Sequence, residues 1–425
     1  MRVFSGKPFY FGLPYAIIPA MKDFRTELLG NFISYTVFDT MSEPEMVGKK
    51  RPTTDGQRTF LEFLEKCLNR MGLETRLEDD WVLKGVLKGS KTDPPIGFMA
   101  HVDTASDVMG NGVKANVIDY EGGDIILDSG LVIKAEENPD LARYIGSKII
   151  TSDGTTLLGS DDKAGIAIIM SAIGHLARHP EIPHPDIEVY FTPDEETGSG
   201  MDEFPYSEMH SSVCYTIDGG REGEIETECF NAATVTVHVS GVSIHLGSAR
   251  GIMVNALTIL SQIASCLPQA ESPEATDGRY GYYCPLEISS TGDAGEMKIY
   301  VRDHDEEIFN FRIEAVKKLS EAIAFIYKGK AEISVHVSYH NMASVNKRNP
   351  EAVDIIFEKA KELGIECYSQ IIRGGTDGAR LAEEMGISSP NIFTGGHNLH
   401  SLSEWVSLDA MNRAANLVLA LAEGR

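Results

Sequence analysis

Three short, largely apolar runs, residues 96–100, 187–191 and 213–217, each break off into a polar tail: His101-Val102-Asp103, Pro193-Asp194-Glu195-Glu196 and Asp218-Gly219-Gly220. A short apolar run without alternation belongs to a strand covered on both faces. Amphipathic stretches separate the runs, and turn residues such as Pro94-Pro95 and Gly122-Gly123 divide them. The first half is therefore read as an α/β layered domain. In open α/β sheets the ligand site lies beyond the carboxyl ends of the strands. The polar tails are where chemistry is expected.

After Asp218 the texture changes. Residues 234–240 alternate as a half-buried strand, 253–267 follow a helical period, 283–289 and 297–301 are strand-like, 306–327 form a longer amphipathic helix, and 332–338 alternate again. This β-α-β-β-α-β succession predicts a ferredoxin-like α+β domain over residues 230–340, inserted in a first domain made of 21–229 and 341–425. A last helix near 408–422 should pack on the first domain. Residues 1–20 read as an N-terminal extension without chemistry, because Gly12, Pro14 and Pro19 interrupt any export signal. A periodic helical pattern begins only after Met21.

Composition removes several function classes. The chain has 425 residues, 42% hydrophobic and 24% charged, the proportions of a globular protein. Asp plus Glu is 63 against 38 for Lys plus Arg, a net charge of −25 that repels phosphate backbones and anionic membranes. No apolar run is long enough for a membrane span. The six cysteines show no CxxC pair, which argues against a thiolate zinc site and a disulfide scaffold and for a cytoplasmic chain.

Five motifs carry candidate chemistry. His101 and Asp103, two apart on an extended segment, fit a metal ligand and the acid that orients its imidazole. Asp161-Asp162 opens an apolar helix at 166–176. Neighbouring anions repel unless a cation lies beside them, and one bridging carboxylate, Asp161, could hold two ions about 3.5–4 Å apart. In the acidic tail at 194–196, Glu196 suits a metal and Glu195 the base that takes a proton from water. Asp218 ends a strand before two glycines expected to allow a close approach. The loop Thr394-Gly395-Gly396-His397-Asn398-Leu399-His400 follows a strand-like 391–393 and holds two histidines. Jointly, His101, Asp161, Glu196, Asp218 and His400 form a carboxylate and imidazole set suited to two Zn²⁺, with Co²⁺ or Mn²⁺ as substitutes.

With these motifs, and with the blocks 157–165, 191–196, 230–233 and 373–379, the sequence resembles the peptidase T branch of the di-zinc metallopeptidases. That family also contains aminoacylases and glutamate-releasing carboxypeptidases. The resemblance implies a catalytic domain with a mixed central sheet, and the inserted domain as a lid. It implies that Asp161 bridges, that His101 and Asp218 complete one metal site, and that Glu196 and His400 complete the other. Glu195 would be the general base and Asp103 the orienting acid. His245, in Ser243-Ile244-His245-Leu246-Gly247, matches a substrate-binding histidine, although Leu246 stands where the family usually has Pro. Asn231, Arg373 and Arg302 are carried over as substrate contacts, the two arginines as clamps for a peptide carboxylate.

The activity this implies is a cytoplasmic aminopeptidase releasing the N-terminal residue of short peptides, chiefly tripeptides, with a homodimer as the candidate assembly. A dipeptidase, deacylase or carboxypeptidase on the same scaffold is the alternative, as is a metal-loaded peptide-binding protein without turnover.

Overall fold

Eight strands form the central sheet of the computed structural model, in the spatial order Glu74–Arg76, Leu83–Leu87, Ile187–Thr192, Ile96–His101, Val213–Gly219, Asn391–Phe393, Glu224–Glu228 and Tyr368–Ile371. The structure describes residues 21–424, so the extension expected at 1–20 lies outside it. The third to sixth strands of this order run parallel, and antiparallel neighbours flank them. The sheet is mixed.

The apolar runs fail to alternate because successive side chains enter different cores. Phe98, Phe191 and Tyr215 join the larger core, under helices Arg25–Thr36, Asp55–Met71, Ser160–Arg178 and Leu408–Ala422. Met99, Tyr190 and Cys214 join a second core with Met201, Phe204 and Leu381. Even Glu188, inside a strand buried throughout, is satisfied: Lys84 lies at 2.8 Å, and the His210 and Ser211 amides donate to it. The last helix begins at Ser407, whose hydroxyl accepts the Ala410 N–H, and it is buried along most of its length.

Residues Asn231–Ser240, Tyr282–Ser290, Ala294–Asp303 and Lys330–Tyr339 make a separate four-stranded antiparallel sheet. Helices Ala256–Cys266 and Glu306–Ile326 pack on it around a core of its own that includes Val235, Ile259, Ile299 and Phe309. The chain enters and leaves this unit at adjacent points. Ala232 pairs with Tyr339, and the Asn231 side chain accepts the Asn341 N–H at 2.9 Å.

A third sheet has no counterpart in the sequence reading. It orders Gly396–His397, Trp405–Ser407, Lys148–Thr151 and Asn116–Asp119. Strands of two to four residues are too short to show a period of two. This sheet nonetheless sets Trp405 opposite Thr151, bringing the segments that carry His400 and Asp161 together.

Candidate active site

The four parallel strands end on one edge of the central sheet, and that edge collects the expected residues. His101 closes its strand, residues 193–196 follow Thr192, Asp218 sits next to the end of its strand, and the loop to His400 follows Phe393. Asp161 and Asp162 precede the regular part of helix Ser160–Arg178, both with non-helical backbone, and the peptide joining them is cis. They are therefore not simply first-turn acids.

Asp161 divides its carboxylate between two histidines. One oxygen is 2.9 Å from His101 Nε2, and the other is 3.3 Å from His400 Nε2. His101 Nε2 also stands 3.4 Å from Asp218, and His400 Nε2 stands 3.2 Å from Glu196. Ligand atoms of His101, Asp161 and Glu196 all lie within 4.8 Å of one another, as do those of His101, Asp162 and Asp218. The second oxygen of Glu196 is buried without a hydrogen-bond partner. His101 is buried at the floor, while His400, 40% exposed, stands at the rim.

Burial and crowding shift the titrating groups of the cluster. Burial pushes Glu196 up to about 7, with the Asp161 charge adding to it. Burial also pushes Asp218 up to about 6. Glu195 is raised well above the carboxylate range by burial, together with the charges of Asp218, Asp377 and Glu196. His400 is raised to about 11 by its hydrogen bonds to Asp161 and Glu196. Burial acts to lower His101, yet the Asp218 charge and bonds to Asp103 and Asp161 lift it. Crowded acids retaining protons beside charged imidazoles form a set that a divalent cation would compensate. The donors are carboxylate and imidazole without thiolate, which suits zinc.

The expected substrate-binding residues stand apart from this cluster. His245 is exposed on a turn, its Nδ1 accepting the Gly247 N–H, with no hydrogen bond or ion pair to the cluster. The Asn231 amide, read from sequence as a substrate contact, is instead engaged within the chain. It donates to the carbonyls of Asp303 and His304 and accepts from Asn341, tying together the two crossings between units. Arg373, read as a carboxylate clamp, donates to the carbonyls of Gly278 and Tyr280 and to the Thr276 hydroxyl, and lies over Phe230 and Tyr282. Arg302 donates to the carbonyls of Ala233 and Val301 and lies over Tyr300. The close approach expected at Gly219 is also different in kind: a Cβ there would meet the Ile392 carbonyl at 2.9 Å, so strand packing requires this glycine.

A family model described as Peptidase family M20/M25/M40 matches residues 153–424. The chain belongs to this family. It is 41% identical to Peptidase T of Macrococcus caseolyticus, over 94% of this chain and 98% of that one. Among solved structures, aminopeptidase PepT from Bacillus cereus is similar with a TM-score of 0.73 at 23% identity, covering 94% of this chain and 98% of that one. A tripeptidase from Staphylococcus aureus gives the same TM-score at 22% identity and the same coverage. Both structures share the fold.

Within this family member, sequence reasoning did not foresee three supporting acids. Asp162 is fully buried and accepts the His101 N–H at 3.2 Å and the Gly165 N–H at 3.1 Å, so the second acid of the pair holds the backbone of a candidate ligand. Asp107 stands 3.2 Å from His400 Nδ1, as Asp103 stands 3.3 Å from His101 Nδ1. Glu404 holds the segment leading to Asp161. The doubled acid at 161–162 was visible in the sequence, but nothing near Asp107 or Glu404 marked either one.

Proposed function

We propose that this chain is a zinc-dependent aminopeptidase that releases the N-terminal residue of short peptides, chiefly tripeptides. The observation that carries the reading is the Asp161 carboxylate facing His101 with one oxygen and His400 with the other. This is the disposition expected of a bridging ligand, with Glu196 beside one imidazole and Asp218 beside the other. His101 and Asp218 would hold one ion, Glu196 and His400 the second, with Asp161 common to both. The orphaned oxygen of Glu196 is the vacancy in hydrogen bonding that such an ion would fill. The named activities of the relatives, Peptidase T, aminopeptidase and tripeptidase, support the choice of substrate.

Bound zinc would supply Lewis-acid polarisation and a water of near-neutral pKa. Glu195 would take a proton from the attacking water at its carboxylate and pass it to the leaving amine nitrogen. Burial and neighbouring acids raise the proton affinity of Glu195, the direction a base needs. Asp103 fixes the loop carrying Glu195 through that residue's N–H. Residues 230–340 act as a lid over the domain formed by 21–229 and 341–425, hinged where Asn231 ties the two crossings. Closure would bring His245 towards the scissile carbonyl. The six free cysteines suit a reducing, cytoplasmic compartment.

The test is hydrolysis of di-, tri- and tetrapeptides with free and blocked termini, before and after chelation and with zinc restored. Zinc-restored release of the first residue, fastest from tripeptides with a free amine, is expected. Turnover of N-blocked peptides, or none at all with zinc present, overturns the reading.

A further inference from the structure

Glu404 reaches across from the loop of one candidate ligand to the backbone of another. One oxygen accepts the N–H groups of Leu158 at 2.7 Å and Gly159 at 3.0 Å. The other accepts the Ser160 N–H at 2.6 Å, the Ser160 hydroxyl at 2.5 Å and the Asp161 N–H at 3.4 Å. All five donors come from the four residues ending in Asp161. Glu404 is 1% exposed and has no ion pair within salt-bridge distance among the described residues. A buried carboxylate is costly unless it is well hydrogen-bonded. Here four amides and one hydroxyl offset part of that cost.

The other end of the joint is equally constrained. Glu404 stands four residues after His400, and the turn between them closes on itself. Ser401 Oγ donates to the Asn398 carbonyl at 2.7 Å, Asn398 Nδ2 donates to the Ser403 carbonyl at 3.1 Å, and the Ser403 N–H donates to Ser401 Oγ at 3.2 Å. The next residue, Trp405, pairs with Thr151 on the strand leading towards Asp161. A cap for the helix alone would need only a short local side chain. A glutamate from the other loop additionally fixes the separation of Asp161 and His400.

We propose that Glu404 is a positioning residue that holds the bridging Asp161 and the rim ligand His400 at metal-binding separation, an inference resting on the metal reading above. The experiment uses the full chain, stripped by chelation and titrated with Zn²⁺ against a fluorescent zinc indicator, with the melting temperature of the metal-free form measured in parallel. In Glu404→Gln one oxygen becomes an amide nitrogen that cannot accept, so donors at 158–161 lose their partner. The parent is expected to bind two ions. The Gln variant should lose about 10- to 100-fold in affinity for the weaker one, the usual effect of removing a residue that orients a ligand. Its kcat should fall while KM for a tripeptide holds. Ser160→Ala, which removes one donor, should shift affinity the same way by less. It decides the matter if the Gln variant does not fold.

Parental affinity for both ions in a folded variant, with only the metal-free melting temperature lowered, would show an ordinary structural cap and overturn the inference while leaving the metal reading intact. A parent that binds no zinc overturns both.

Discussion

Asp103 accepts the backbone N–H of Glu195 at 3.0 Å with one carboxylate oxygen, while its other oxygen accepts the Glu196 N–H at 3.1 Å. The same carboxylate stands beside His101, so one buried acid orients a proposed ligand, the proposed base and a second proposed ligand. Asp103→Asn keeps one acceptor and turns a donor towards the other amide. Zinc affinity, or kcat, is expected to fall about 10- to 100-fold. Parental values for both would mean that the 194–196 loop stands without it.

The Glu195 carboxylate has no hydrogen-bond or ion-pair partner among the described residues, unlike Glu196, whose oxygen faces His400. Glu195→Gln should therefore retain two zinc ions and lose at least about 10²-fold in turnover. Asp161→Ala should release metal. Elemental analysis beside a tripeptide assay separates the two, and a fully active Gln variant would place the base elsewhere.

At Gly165, an added Cβ would lie 1.8 Å from the Ile217 carbonyl oxygen and 2.3 Å from an oxygen of Asp162. The first is backbone and cannot swing away. Gly165→Ala should cost about 1–3 kcal/mol or more in urea unfolding, as overpacking does. It should also weaken zinc binding, because Asp162 holds the His101 N–H. Unchanged stability would mean that the helix stands further from the strand.

The imidazole of His397 stacks on Trp405 with ring centroids 3.8 Å apart. Burial, with the charges of Arg221 and Arg143, lowers it from 6.5 to about 3, and Asp140 stands 3.9 Å from Nδ1. The unfolded chain then binds a proton that the folded chain refuses. Stability from this group is full above about pH 6.5 and is lost as pH falls towards 3, by up to ~1.4 kcal/mol per pH unit. Urea unfolding of the metal-free protein at pH 7, 6 and 5 should show a shallower loss for His397→Phe than for the parent. Equal slopes would assign the acid sensitivity to other groups.

Arg373 engages the segment 276–280 through three acceptors and lies over the rings of Phe230 and Tyr282. Arg373→Ala should speed limited proteolysis within that segment several-fold, and Arg373→Lys should restore little, because an ammonium lacks the planar fork. If the Ala variant is cleaved like the parent but no longer distinguishes tripeptides from their C-terminal amides, the guanidinium serves substrate rather than the loop.

The apolar runs by themselves determined which strands lie buried at the centre of the sheet and at which edge chemistry is expected. Residues 96–100, 187–191 and 213–217 are short and apolar because both faces of those strands are covered, and each turns polar where the strand leaves the core. That pattern is local, so it was legible for His101, Glu195, Glu196 and Asp218, while Asp161 stood out as part of a doubled acid before an apolar helix and His400 by its glycine-rich loop. Only the tertiary structure decided which atoms meet. Asp107 lies far along the chain from His400, and Glu404 is separated from Leu158 by 246 residues, so no spacing links either pair. The sheet bringing Trp405 to Thr151 is built from strands too short to leave a period. The family resemblance carries Arg373 and Asn231 as substrate contacts, and only the packing shows that carbonyls of their own chain accept from both. Hydrophobic periodicity encodes which residues are buried, whereas the partner of a buried polar group is set by whichever distant backbone the folded core brings within hydrogen-bond reach.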